Sequence, residues 1–312
     1  DVEAVGLPMA EIIEAVDRLF AEKGAGRVEM PPKPGIHPGV DSFLHAMPAW
    51  VPAAEAAGLK WISAYPDNPS RGLPYVAGLV VLNDPGTGLP VAVMDATWVT
   101  ATRTGAASAV AARHLARPES STIGIVACGV QGRSHLQAFA GIFDLDRVVA
   151  YDIDREAAAR FADEMADVAG VPIEIVDSAR EAVEGLDLVV TSGPILKDPD
   201  PTIDAGWLAE GAFAAAVDFD SYWRASALEA MDRIVTDDLA QMEYYRDLGY
   251  FRQTPAADAD LGDVVAGRAP GRTDPAERIL AMHLGLAAED MVTGRLVLER
   301  AETRGIGTVL PL

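Results

Sequence analysis

The turn Ala127-Cys128-Gly129-Val130-Gln131-Gly132 constrains the fold more than any other part of the chain. An apolar run over 122–127 reads as a strand, and a helical pattern over 131–143 follows the turn at once. Gly129 leaves room for the backbone to approach a phosphate, and Gly132 allows the helix to pack closely on the strand. Ala127 stands where such turns usually carry their first glycine, and alanine tolerates fewer backbone conformations there. A second strand is expected over 147–151 and ends at Asp152, roughly 20 residues beyond the turn, where a carboxylate accepts ribose hydroxyls. Together these residues predict dinucleotide binding through Gly129, Val130, Gln131, Gly132 and Asp152. The acid repels a 2′-phosphate and so points to NAD over NADP, although Arg155 lies close by. Thr191 and Ser192 close another expected strand, over 186–191, and would line the same crevice.

The pattern before residue 116 is different. A helix is expected over 9–23, a proline-rich irregular or edge segment over 28–38, then strands over 42–47, 58–65, 75–82 and 89–94. An alanine-rich helix over 97–115 leads to a linker at 116–121. From 122 onward strands and helices alternate, with helices at 155–169 and 178–183 and further strands at 173–176, 211–217 and 233–236. Such alternation implies a parallel sheet wrapped by helices. A final helix is expected over 274–300, with Gly285 inside it. The fold class is therefore α/β: a Rossmann dinucleotide-binding domain joined to a sheet-rich domain.

A net charge of -22, spread through the helices, argues against nucleic acid or anionic membrane as partner. No apolar run reaches the roughly 18 residues of a membrane span, and the first residues lack a signal-peptide pattern. A single cysteine suits a cytoplasmic chain. No metal site is expected: the five histidines are scattered and Cys128 has no partner. Ser134-His135 is not a nucleophile–base pair, since side chains adjacent in sequence rarely face each other. Lys60 stands out as a lone charge in an apolar strand, where burial would bring its pKa toward the range useful for acid–base chemistry. Asp218 and Asp220 follow another expected strand, and a strand's pleat would put both on one face.

Seven short motifs carry a more specific signal. They are Met30-Pro31-Pro32-Lys33, His45-Ala46-Met47-Pro48, Gly58-Leu59-Lys60-Trp61, the run from Gly86 to Asp95, Arg103-Thr104-Gly105-Ala106-Ala107, Cys128-Gly129-Val130-Gln131, and the run from Leu284 to Asp290. In this order and spacing the chain resembles the ornithine cyclodeaminase/mu-crystallin family, in motif closest to its archaeal-type alanine dehydrogenases. The resemblance implies a substrate-binding and dimerisation domain formed by 1–116 and 283–312, a Rossmann domain over 117–282, and a homodimer. It implies NAD(H)-dependent chemistry at the Cα–N bond of a small amino or imino acid, as a dehydrogenase or imine reductase. An ornithine- or lysine-type cyclodeaminase, which uses NAD catalytically and releases ammonia, is the alternative; a nucleotide-dependent binding protein like mu-crystallin is a third. By the same resemblance Lys33 and Arg103 would grip the substrate carboxylate, and Lys60 and Asp220 would be catalytic. His45 departs from the family's residues and becomes a determinant of substrate choice or an acid–base group. His283 replaces a small hydroxyl residue near the nicotinamide.

Overall fold

The computed structural model describes residues 1–311. Helix α1 (Met9–Gly24) buries Ile12, Ile13, Val16, Leu19 and Phe20 along one stripe, as their three-to-four spacing requires. The proline-rich segment that follows lacks the amide donors of a central strand, and it becomes β1 (Gly35–Gly39) at a sheet edge. β2 (Ser42–Val51), β3 (Ala56–Ala64), β4 (Val76–Asn83) and β5 (Pro90–Asp95) complete this antiparallel sheet in chain order. Alternation along β3 turns Lys60 and Ile62 inward and Trp61 outward. Asp95 then caps α2 (Ala96–Leu115) by accepting the Thr97 N–H.

Past α2 the chain alternates through β6 (Thr122–Val126), α3 (Val130–Ala140), β7 (Arg147–Tyr151), α4 (Arg155–Ala169), β8 (Ile173–Ile175), β9 (Leu188–Thr191) and β10 (Phe213–Ala216). α5 (Ala225–Glu229), β11 (Arg233–Thr236), α6 (Leu239–Asp247), β12 (Ala259–Asp260), α7 (Leu261–Val265), β13 (Ile279–Met282) and α8 (Ala287–Arg304) follow. Their eight strands form one sheet in the order β12-β11-β13-β10-β9-β6-β7-β8, every pair parallel. The direction of winding reverses between β6 and β9, and that is where such sheets open a ligand crevice. The α/β class, with a Rossmann-type parallel sheet beside an antiparallel one, is therefore as the pattern implied. α2 and α8 tie the two sheets together: α8 packs on β2, β3 and β4, and α2 packs on α3. The α2–α3 crossing depends on Gly105, where a Cβ would sit 2.6 Å from the Ser134 carbonyl oxygen.

Three expectations are corrected. The helix expected over 274–300 is instead β13, a turn, and α8. Ile279-Leu280-Ala281-Met282 lies fully buried between β10 and β11, so it has no polar face and its sequence lacks strand alternation. Gly285, at φ +78°, is in the left-handed region and marks the break before α8. The short helix expected over 178–183 is a series of turns. The pleat argument for Asp218 and Asp220 also fails: β10 ends at Ala216, and Phe219 adopts φ +61° between the two acids.

Candidate active site

The turn after β6 is built by backbone conformation and one carboxylate. Ala127 takes φ +75°, the conformation for which a glycine would be the ordinary choice. Its N–H donates to the Tyr151 carbonyl at 2.8 Å. The Cys128 N–H donates to Asp152 Oδ2 at 2.7 Å, and the Asp154 N–H donates to Asp152 Oδ1 at 2.9 Å, fixing that carboxylate beside the turn. A Cβ at Gly132 would approach the Ala127 carbonyl oxygen to 2.7 Å, so α3 can pack on the strand only with glycine there. At Gly129 a Cβ would meet nothing within 4 Å, so the backbone faces open space at the N-terminus of α3. A dinucleotide fits this arrangement, because the exposed turn and the α3 N-terminus present N–H groups to a pyrophosphate, with Asp152 placed for a ribose. Ser192 stands opposite and donates to the Ala127 carbonyl at 2.9 Å.

A cavity of about 570 Å³ runs from this turn to the inner face of the antiparallel sheet, and Lys33, Lys60 and Arg103 all line it. Behind them lie the carboxylates of Asp237, Glu289 and Asp290, which do not line it. The Lys60 ammonium sits 2.9 and 2.8 Å from the two Asp290 oxygens and 3.2 Å from Thr100 Oγ1. Burial, reinforced by the Arg103 charge, brings its pKa down to about 7. Arg103 donates from Nε to Asp290 at 2.9 Å and from Nη1 to Glu289 at 2.6 Å, leaving Nη2 outside both bonds. Lys33 donates to the carbonyls of Leu284 and Gly285 at 2.5 and 3.0 Å, and burial lowers it to about 8. Those two carbonyls belong to a loop whose N–H groups at 284 and 285 donate to Asp237 Oδ2 at 2.9 and 2.7 Å. Asp237 thus positions the loop that holds Lys33.

The two unusual histidines also face the cavity. His45 is buried and stacks on Phe43, with ring centroids 4.0 Å apart and planes 12° from parallel. Burial and the nearby Lys33 charge lower it to about 3, so its ring is neutral at physiological pH. His283 is likewise lowered to about 3 by burial, and neither of its ring nitrogens has a hydrogen-bond partner among the described residues.

The structure does not bring every candidate to the cavity wall. Thr191 is buried behind it, donating to Asp218 Oδ1 at 2.9 Å and accepting from Trp223 Nε1 at 3.1 Å. Gly132 serves the helix packing just described. Asp220 lies one residue beyond the lining Phe219 and accepts from Thr254 Oγ1 at 2.8 Å, while burial raises its pKa. Asp218 is fully buried and pushed up to about 7 by burial, with its second oxygen accepting the Gly193 N–H at 3.2 Å. Sequence reasoning missed the counter-ions. Glu289 and Asp290 carried a signal as two adjacent acids in an otherwise apolar run; Asp237 carried a weaker one, as the first residue past the strand expected over 233–236. It also missed Tyr245, buried on α6 with its ring 5.3 Å from the Lys33 ammonium. Burial pushes the Cys128 thiol up to about 12, which leaves it an inert packing group. His135 is engaged by Ser108 Oγ and the Gln131 carbonyl at 2.8 and 2.7 Å. No cluster of metal-ligating side chains occurs among the described residues.

A Rossmann crevice that opens onto a pocket of buried cations defines a dinucleotide-binding α/β protein whose cavity also attracts an anion. Its family follows from comparison: the model of the ornithine cyclodeaminase/mu-crystallin family matches residues 1–305, and the chain belongs to that family. A nodulation efficiency protein, NfeD, of Rhizobium meliloti is 36% identical over 99% of this chain and 96% of its own length. The structure of Thermococcus litoralis Delta(1)-pyrroline-2-carboxylate reductase in complex with NADH and L-proline superposes with a TM-score of 0.88. It is 33% identical and is covered over 96% of its chain by 97% of this one. An archaeal alanine dehydrogenase dimer with bound NAD gives 0.87 at 33% identity, over 100% of this chain and 97% of the other.

Proposed function

We propose that this chain is an NAD(H)-dependent amino-acid dehydrogenase or imine reductase acting at the Cα–N bond of an amino or imino acid. The observation that carries this reading is one cavity shared by the cofactor turn and three buried cations, Lys33, Lys60 and Arg103. Likeness to an alanine dehydrogenase and to a pyrroline-2-carboxylate reductase supports it. Gly129, Val130, Gln131 and Ser192 would hold the dinucleotide, Asp152 its ribose, and His283 would offer its unpartnered nitrogens. When bound, NAD(H) supplies or takes up the hydride.

The chain's own residues do the rest. Lys33 and the Nη2 edge of Arg103 attract the substrate carboxylate, which orients Cα toward the cofactor turn. Lys60, brought near neutrality by burial, exchanges a proton with the substrate nitrogen or the carbinolamine oxygen. Asp290 holds the Lys60 ammonium in place. Asp220, just outside the cavity lining, is the second candidate for proton transfer. Residues 1–116 and 283–312 would form the substrate and dimerisation part, and 117–282 the NAD-binding part. The outward face of the antiparallel sheet supports a homodimer. Trp61, Leu79, Val91 and Val93 lie on it and are 41%, 48%, 48% and 62% exposed, an apolar stripe that a second copy would cover. The inert, unpaired Cys128 suits the cytoplasm.

The test is oxidation of NADH, followed with 2-oxo acids plus ammonium or methylamine and with cyclic imino acids, while ammonia release from diamino acids is recorded in parallel. Net NADH consumption with any of these acids is the expected result. Ammonia release without net NADH change would instead make it a cyclodeaminase, and silence in both channels would leave a binding protein.

A further inference from the structure

A cluster of aromatic rings lines part of the cavity. Phe219, Tyr245 and Tyr250 meet in a triangle with ring centroids 5.1, 5.5 and 5.7 Å apart, each pair close to edge-on. Phe43, stacked on the neutral His45, continues the wall, and His45 lies 6.4 Å from Tyr245. All five rings line the cavity. Edge-to-face clusters of this kind bury large apolar area with defined geometry, so they form a shaped surface for another ring or branched chain. Tyr245 also touches the carboxylate-gripping end through Lys33, so the wall begins where a bound amino acid's side chain would begin.

Among the described residues Asp152 is the one carboxylate in the cavity lining, and backbone N–H groups hold it at the cofactor turn. Asp237, Glu289 and Asp290 sit behind Lys33, Lys60 and Arg103 and are spoken for by them or by the loop at 284–285. A substrate with a cationic side chain would therefore bring a further positive charge to a lining that already holds Lys33, Lys60 and Arg103, while Asp220, next to Phe219, lies outside that lining and accepts from Thr254.

Resting on the reading of the site given above, we propose that the substrate is an amino or imino acid whose side chain is uncharged, apolar and large enough to meet the wall of Phe43, Phe219, Tyr245 and Tyr250. The wall is a specificity element; the hydride and proton transfers stay with the groups already named.

The test compares initial rates of NADH oxidation with phenylpyruvate, pyruvate, 2-oxoglutarate and 2-oxo-5-guanidinopentanoate, each with ammonium and with methylamine. Phenylpyruvate is expected to exceed pyruvate in kcat/KM by about tenfold or more, the scale of discrimination a hydrophobic pocket supplies. The guanidino acid should give no turnover. Equal or better rates with pyruvate, 2-oxoglutarate or the guanidino acid overturn this proposal and leave the oxidoreductase reading standing. If no acid supports NADH oxidation, that underlying reading fails and this one with it. Phe43→Ala should lower the phenylpyruvate-to-pyruvate ratio of kcat/KM about tenfold; an unchanged ratio removes the wall from substrate choice.

Discussion

Lys60 shows how position alone changes the protonation of an ordinary side chain. A lysine in water titrates near 10.5, and burial between β3 and α8 brings this one to about 7 while Asp290 keeps it oriented. Replacement by methionine should lower kcat by about 10²- to 10⁴-fold, the usual worth of a positioned acid or base. NADH affinity, measured by fluorescence titration, should change little, because the cofactor turn lies elsewhere; a large loss would remove Lys60 from the proton-transfer role. The pH dependence has a definite sign. In the reductive direction activity should fall as pH rises through about 7, since a neutral Lys60 has no proton to give. Stability moves the other way. Between about 7 and 10.5 the unfolded chain binds the Lys60 proton and the folded chain does not, so this group's contribution improves with rising pH. At the cofactor end, Asp152→Ala should weaken NADH binding by about tenfold, ~1.5 kcal/mol for hydrogen bonds to a charged group, and narrow the gap to NADPH. An unchanged NADH-to-NADPH ratio would contradict its ribose role. Lys60 was legible in the sequence because a single charge interrupts an apolar strand. Asp237 was less so, because its function depends on a loop that folds back from 284–285 and nothing local signals that contact.

At the scale of elements, the glycine turn explains both its regular and its irregular residue. Ala127 at φ +75° incurs the left-handed penalty of roughly 1–2 kcal/mol. A glycine there would relieve that strain while adding about 0.4–1 kcal/mol of unfolded-state entropy. The first term is larger, so Ala127→Gly should raise the melting temperature slightly and keep NADH binding; a lower melting temperature would show that the alanine methyl packs usefully. Gly132→Val should do the opposite. With the Ala127 carbonyl 2.7 Å from the new Cβ, α3 must move, at a cost of about 1–3 kcal/mol for overpacking, and the cofactor turn moves with it. Calorimetry together with NADH titration would detect both effects. The strand–turn–helix unit was readable because its polar and apolar residues follow local rules. β13 was not, since a strand buried on both faces loses the alternation that distinguishes it from a helix.

The whole molecule places chemistry where its two sheets meet. The parallel sheet contributes the turn, Asp152 and the loop at 192–195; the antiparallel sheet contributes His45 and Lys60; α2 and the loop before α8 contribute Arg103 and His283. The short motifs pointed to most of these positions, while the aromatic wall and the acids behind the cations emerge only from packing between distant segments. The outward stripe on β3, β4 and β5 belongs to the same scale. The dimer proposed above should become monomeric in light scattering when Leu79→Glu is combined with Val93→Glu, because the change would bury uncompensated negative charges in the covering face; an unaltered mass would move the interface elsewhere. The central claim, hydride transfer to Cα, is tested most directly with NADH deuterated at the transferring C4 position. The amino acid formed from a 2-oxo acid and ammonium or methylamine should carry one deuterium at Cα for each NADH oxidised. Product without Cα deuterium would contradict it.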